Sequence, residues 1–251
     1  MLGDPVAHSL SPAINGAAFD ELGLDAEYVA IQADVEVLDE ALRRLRDGEL
    51  SGFNVTMPLK GEAARMVDAL GPNTGSGQSV NTVAYESGTV TGYSTDITAL
   101  RSMLDERWPD TGSLYVLGSG GAAWAAADAS SGRVVYVGAR DPDKAARLVD
   151  VHPDASVVPW GVPVAGAVVV NATPLGMRGE GLPDGIIDSS AGLIDLPYGP
   201  VPTPATARAV RLGLPLVDGV EFLVAQAADA LRIWIGGDPP IRTMLRAARN
   251  A

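Results

Sequence analysis

Apolar residues along this chain recur with two alternating periods, and the alternation predicts where helices and strands lie. A helix is predicted over 11–22, with Ser11 as N-cap, Pro12 at the first helical position, Ile14, Ala17, Ala18 and Leu22 recurring along it, and Gly23 as its stop. A short strand follows over 28–31. Val35, Leu38, Ala41, Leu42 and Leu45 then repeat at helical spacing between charged residues until Gly48, and residues 52–56 read as a strand. Residues 58–70 read as another helix. Strand-like runs at 80–85, 113–117, 134–137, 167–170 and 193–195 continue the alternation and predict a parallel α/β architecture. The segments 219–236 and 239–250 look wholly helical, and residues 71–77 predict a surface loop. Two domains sharing a cleft is the expected arrangement.

Composition narrows the function classes. The 251 residues, 47% of them hydrophobic, suffice for one large or two small domains with a real core. Eighteen basic against 31 acidic residues give a net charge of −13, which phosphate backbones and anionic lipid repel, so neither nucleic acid nor membrane is an expected partner. The absence of cysteine removes disulfides, thiolate metal sites and a cysteine nucleophile, and agrees with a cytoplasmic protein. His8 and His152 alone remain for imidazole metal or triad chemistry. The N-terminus has no targeting pattern, and no apolar run approaches the roughly 18–20 residues of a membrane span.

The strongest local signal is the apolar run 114–117 followed by Gly118-Ser119-Gly120-Gly121-Ala122-Ala123, a G-x-G-x-x-A pattern between a strand and a helix. Glycines there permit a tight turn and close approach of a pyrophosphate, whose charge the helix N-terminus stabilises. The plain alternative is a tight strand–helix turn. Arg140 falls 22 residues after Gly118, preceded by Ala139 and followed one turn later by Lys144, where an NAD enzyme usually carries an acidic residue. Two cations at that position favour NADP. Asp141 either neutralises Arg140 or reaches a ribose hydroxyl itself, and a solvated loop of mixed charge is the alternative to both.

Three further clusters carry candidate chemistry. Ser9 and Ser11 place two hydroxyls ahead of a helix N-terminus, which suits a small carboxylate, although Ser11 as a simple cap is the plainer reading. Asn54 and Thr56 alternate onto one strand face, and Lys60 follows in the next helix's first turn as a candidate general acid or base, against the usual solvated lysine. Asn81 and Asp96 end strand-like runs. An Asp beside a Lys would hold it in place, while Asn and Asp are also common turn residues.

The strings HSLSP, GFNVTMPLK, SVNT, STD, VLGSGGAA, ARDPDKA, NATPLGM, DLPYGP and DGVEFLVAQ occur in this order, and with them nearly the whole chain resembles the shikimate dehydrogenase family. The resemblance implies an α/β fold with an N-terminal substrate domain completed by C-terminal helices, residues 1–97 plus 219–251, and a Rossmann NADP-binding domain, residues 98–218. It implies NADP-dependent reversible reduction of 3-dehydroshikimate to shikimate, by a monomer or homodimer. On this likeness Ser9 and Ser11 hold the shikimate carboxylate with Thr56 and Tyr198, and Asn54, Asn81 and Gln226 bind ring hydroxyls. Lys60 and Asp96 would be the catalytic pair, and that assignment requires no metal. Gly118, Ser119, Gly120, Gly121, Ala122 and Ala123 would cradle the pyrophosphate, and Ala139, Arg140 and Lys144 would surround the 2′-phosphate. Thr173, Leu196 and Gly219 would lie along the rest of the cofactor.

The chain departs from the family pattern at several places. Ser94 stands for the usual Asn, Ala99 for a glycine, Ala139-Arg140-Asp141 for an NRT string, and Glu221-Phe222 for Gly-Met beside the nicotinamide; only Met1 and Leu2 precede Gly3. These departures keep two alternatives in view: a paralogue acting on quinate or an amino analogue, and a non-catalytic dinucleotide-binding sensor.

Overall fold

In the computed structural model, which describes residues 1–76 and 79–251, the chain separates into two units. One comprises Met1–Ala99 with Leu223–Ala251, the other Leu100–Phe222. Gly77, the end of the loop expected over 71–77, lies outside the described residues.

The first unit begins with β1 (Leu2–Gly3), α1 (Ser11–Leu22), β2 (Ile31–Gln32), α2 (Val35–Arg46), β3 (Gly52–Asn54), α3 (Lys60–Met66), β4 (Ala69–Leu70), β5 (Thr82–Glu86) and β6 (Thr89–Tyr93), after which α4 (Thr95–Arg107) starts. Asp34 caps α2, its carboxylate accepting the N–H groups of Glu36 and Val37 at 3.1 and 3.0 Å. That fixes the apolar face of Leu38, Ala41, Leu42 and Leu45 in one core with Phe53, Val55, Val83 and Val90.

Several local expectations fail here. The sheet β3-β5-β6-β4 is mixed, because β3–β5 and β5–β6 are antiparallel and only β4–β6 is parallel. The unexpected strand β6 returns through Ser87 and Gly88, whose φ of 52° and 88° suit the left-handed two-residue hairpin turn. The helix expected over 58–70 stops at Met66; Val67 is extended and the Asp68 carboxylate accepts the Val90 N–H at 2.9 Å, which lays β4 beside β6. Ser11 is the first residue of α1 rather than its cap, and Ser9 Oγ accepts its N–H at 3.2 Å. Of the strand expected over 28–31, only Ile31, extended to Gln32, pairs with β1.

The second unit contains β7 (Ser113–Leu117), α5 (Gly121–Asp128), β8 (Val134–Gly138), α6 (Pro142–Val149), β9 (Ala155–Val158), β10 (Val168–Asn171), β11 (Gly192–Asp195), α7 (Pro204–Leu212) and β12 (Leu216–Val217). Among the described residues its strands pair entirely in parallel, in the order β9-β8-β7-β10-β11-β12. This is the doubly wound order, whose direction reverses between β7 and β10, and such folds place ligands at the carboxyl ends of the strands there. Leu114, Tyr115, Val116 and Leu117 are wholly buried, as are Val168–Val170, the continuous apolar runs that a sheet covered on both faces demands. β9 and β12 are too short and too mixed to have been legible as strands. The chain returns through α8 (Gly219–Ile235), and α9 (Ile241–Asn250) packs on α1 in the first unit. Among the described residues no helix is long and apolar enough to cross a membrane.

Candidate active site

In the first unit a polar network gathers residues that are far apart in sequence. Lys60 opens α3 and its ammonium pairs with Asp96 Oδ2 in the first turn of α4; their side chains are 17% and 6% exposed. Asn81, just before β5, orients the pair. Its Oδ1 accepts the Thr95 N–H at 2.8 Å, which leaves Nδ2 facing Asp96 Oδ1 at 2.9 Å, Thr95 Oγ1 at 3.0 Å and Gln226 Oε1 of α8 at 3.4 Å. A lysine ammonium has three protons, and Asp96 engages one side of it, so the group stays able to donate elsewhere. The arrangement can present a held, charged proton donor to a bound ligand.

Asn54 joins the same network. Its Nδ2 donates to the Asn81 carbonyl at 3.1 Å and to Thr82 Oγ1 at 2.9 Å, and its Oδ1 accepts the Tyr28 hydroxyl at 2.5 Å. Burial pushes the Tyr28 hydroxyl well above the ordinary phenol range, so it serves as a donor. Tyr28, Thr82 and Thr95 were not singled out from the sequence. Thr82 and Thr95 stand inside the SVNT and STD strings, which are the legible signal, whereas Tyr28 opens the run 28–31 read only as a strand.

Ser9 is half-buried and Ser11 buried at the entry to α1. Thr56 is tied in by its N–H to the Leu2 carbonyl at 2.8 Å. A Cβ at Gly3 would lie 2.3 Å from Thr56 Cγ2, so only glycine lets Thr56 sit there. Tyr198 and Gly219 lie in the second unit. Tyr198 follows β11, and a Cβ at Gly219 would meet the carbonyl oxygens of Pro197 at 2.4 Å and Leu196 at 2.7 Å.

The glycine turn of the second unit leads into a helix start without a side-chain cap. Gly118, at φ 119°, donates its N–H to the Gly138 carbonyl at 2.8 Å, and a Cβ on it would stand 2.9 Å from the Ala172 carbonyl oxygen. Ser119 and Gly120 lead into α5, whose N-cap is Gly120 with no side-chain cap and no acidic residue in the first turn. Its first N–H groups and helix dipole therefore suit a phosphate. Ala122 is half-buried, and Ala123 with Ala125–Ala127 is buried, small residues packing α5 closely. Beyond β8, Ala139 is half-buried and Arg140 exposed, without an ion pair among the described residues. Asp141 caps α6 through the Lys144 N–H at 3.1 Å and pairs with Lys144 Nζ at 3.4 Å. That backbone bond, with the Lys144 side chain after it, holds the Asp141 carboxyl below its usual range, so its charge serves α6 and Lys144 rather than Arg140. Thr173 is half-buried and Leu196 donates its N–H to the Asn171 carbonyl at 3.2 Å.

Glu221, read as a departure beside the nicotinamide, is occupied by the fold. Asp218 Oδ1 accepts the Glu221 N–H at 2.8 Å and Glu221 Oε2 accepts the Asp218 N–H at 3.2 Å, a reciprocal capping box at the start of α8. Glu221 Oε1 also pairs with Arg107 at 2.8 Å. The D-x-x-E spacing at 218–221 was the missed signal.

A doubly wound unit with a bare glycine turn, and an α/β unit holding a lysine–carboxylate pair, define an α/β protein with a fold of the dinucleotide-binding class. The model of the shikimate dehydrogenase substrate binding domain matches residues 1–83. A shikimate dehydrogenase (NADP(+)) of Citrifermentans bemidjiense is 36% identical over 270 residues, covering 98% of this chain and 92% of that one. The shikimate 5-dehydrogenase of Thermus thermophilus superposes with a TM-score of 0.86 in its complex with shikimate, at 34% identity, covering 99% of this chain and 96% of that one. Its complex with NADP(H) and shikimate gives 0.87 at 32% identity, with 99% and 97% covered. The chain belongs to the shikimate dehydrogenase family.

Proposed function

We propose that this protein catalyses the NADP-dependent, reversible reduction of 3-dehydroshikimate to shikimate. The observation that carries the reading is the buried Lys60–Asp96 pair oriented by Asn81, in a chain whose relatives are named shikimate dehydrogenase (NADP(+)) over nearly their whole length. The first unit serves as the substrate domain and the second as the dinucleotide domain. NADPH, when bound, would supply the hydride for reduction, and NADP+ would accept it in the oxidative direction. Gly118–Ala123 hold its pyrophosphate, Arg140 with Ala139 and Lys144 its 2′-phosphate, and Thr173, Leu196 and Gly219 flank the remainder.

Ketone reduction needs a proton at the new hydroxyl oxygen as well as a hydride. Lys60 Nζ gives that proton and takes it back in the oxidative direction, while Asp96 keeps the ammonium in place. Ser9, Ser11 and Thr56 receive the substrate carboxylate, and Asn81 and Gln226 its ring hydroxyls. Asn54 is already bonded to Tyr28, Asn81 and Thr82, so it offers a hydroxyl the second lone pair of Oδ1. The enzyme acts in the cytoplasm on small molecules, as a monomer or homodimer, with neither nucleic acid nor membrane as partner, in keeping with its net charge of −13.

Initial rates of nicotinamide absorbance, with shikimate or quinate and NADP or NAD, test this directly. Turnover of shikimate with NADP, lowered by about 10³ in Lys60→Ala, is expected. A folded protein that turns over none of the pairs, or a Lys60→Ala variant of undiminished rate, would overturn it.

A further inference from the structure

At the carboxyl ends of β10 and β11 lies a wholly buried carboxylate that the proposed reaction does not use. Asp195 stands in register with Asn171 on the neighbouring strand and is 0% exposed. Its Oδ1 accepts Asn171 Nδ2 at 2.7 Å, and its Oδ2 accepts the hydroxyls of Thr203 and, at 2.9 Å, Thr206. Every partner is a neutral donor. Burial pushes the carboxyl up, against the pull of those donors, so the group persists at a cost.

The arrangement continues through Asn171. Its Oδ1 accepts both the hydroxyl and the N–H of Thr173, at 2.6 and 3.2 Å, and its Nδ2 also donates to the Leu175 carbonyl at 3.0 Å. Thr173 Oγ1 in turn accepts the Leu175 N–H at 3.1 Å. On the far side Thr203 Oγ1 caps α7 by accepting the Thr206 N–H at 3.0 Å. One carboxylate thus anchors the loop after β10 to the start of α7.

We infer that Asp195 is a positioning residue for cofactor binding: it orients the Asn171 amide, and that amide holds the loop from Thr173 to Leu175 in its NADP-facing shape. The inference rests on the functional reading above. It predicts a geometric role rather than an electrostatic one. An Asn side chain at 195 can keep its oxygen on Asn171 Nδ2 and turn its NH₂ to Thr203 and Thr206, whose hydroxyls rotate to accept. An Ala cannot.

The test measures the NADP Kd by calorimetry, and kcat with the separate KM values for NADP and shikimate, in wild type, Asp195→Asn, Asp195→Ala and Thr206→Val. Asp195→Ala is expected to raise Kd and KM for NADP about tenfold, leaving kcat at saturating NADP and KM for shikimate within about twofold, and Asp195→Asn is expected to restore most of the affinity. Thr206→Val, which removes one donor and keeps the carboxylate, is expected to weaken NADP about threefold, and it decides the matter if Asp195→Ala does not fold. Wild-type affinity in a folded Asp195→Ala, or in Thr206→Val where Asp195→Ala does not fold, overturns the inference, as does an Asp195→Asn impaired as severely as the Ala variant. Failure of the wild type to bind NADP would instead bring down the functional reading together with the inference.

Discussion

Asp96 and Asp195 are both buried carboxylates next to a proposed ligand-binding segment, yet the two units treat them in opposite ways. Asp96 faces a cation, and its Lys60 partner keeps 17% of its side chain exposed. Asp195 faces an amide and two hydroxyls and has no exposure. A carboxylate set against a partly hydrated ammonium sits beside exchangeable protons and can serve proton transfer. A wholly buried carboxylate among neutral donors has no cationic partner to pass a proton to a ligand, and its bonds fix shape. Charge of the partner and access of water, more than burial of the acid, separate a chemical role from a structural one.

The largest expected effect breaks the first half of this contrast. Asp96→Asn should lower kcat by about 10² while leaving NADP affinity intact, as steady-state rates beside a binding titration would show. An undiminished rate would mean that the charge of Asp96 is dispensable and that the contrast with Asp195 does not hold. Next, Gly118→Ala puts a methyl 2.9 Å from the Ala172 carbonyl at a φ of 119°. A loss of about 1–3 kcal/mol in unfolding free energy is expected, with weaker NADP binding, and wild-type stability would show that the turn has slack.

Glu221→Ala removes one half of the capping box of α8 and the Arg107 pair. Thermal unfolding should fall by an amount worth about 1 kcal/mol with kcat unchanged, which would separate this departure from catalysis. A fall in kcat would place Glu221 in the chemistry instead.

The smallest effect sharpens the second half. Burial raises the folded-state carboxyl of Asp195 above its unfolded value. The folded chain therefore holds that proton more tightly, and the favourable contribution, complete below the unfolded value, is lost as pH rises through the folded one. Asp195→Asn carries no such titration, so its stability relative to wild type should increase from acid to neutral pH. Urea unfolding across that range would measure it, and a flat difference would show that the donors around Asp195 cancel its burial.

What the sequence made legible was local. The strand at 113–117, the glycine turn and the two C-terminal helices are continuous patterns whose period and stop signals lie within a few residues. The β5–β6 hairpin was missed although Ser87-Gly88 is a turn signal, because strand–helix alternation elsewhere favoured a parallel reading. The order of Lys60, Asn81 and Asp96 was visible through resemblance, but their hydrogen bonds to Gln226 and the Tyr28–Asn54 bond join positions with no periodic relation. Glu221 looked functional while it was only an unusual residue in a familiar string, and its capping geometry explains it at the level of one helix turn.

The discontinuity of the first unit has a consequence for the order of events during synthesis. Residues 100–222 emerge as an uninterrupted stretch and hold all of their own sheet, whereas α1 must wait for α9, which the ribosome delivers only after that whole stretch. The second unit can close around its strands while α1, which packs on α9 in the finished protein, still lacks that partner. In a growing chain, the half that begins first is the half that finishes last.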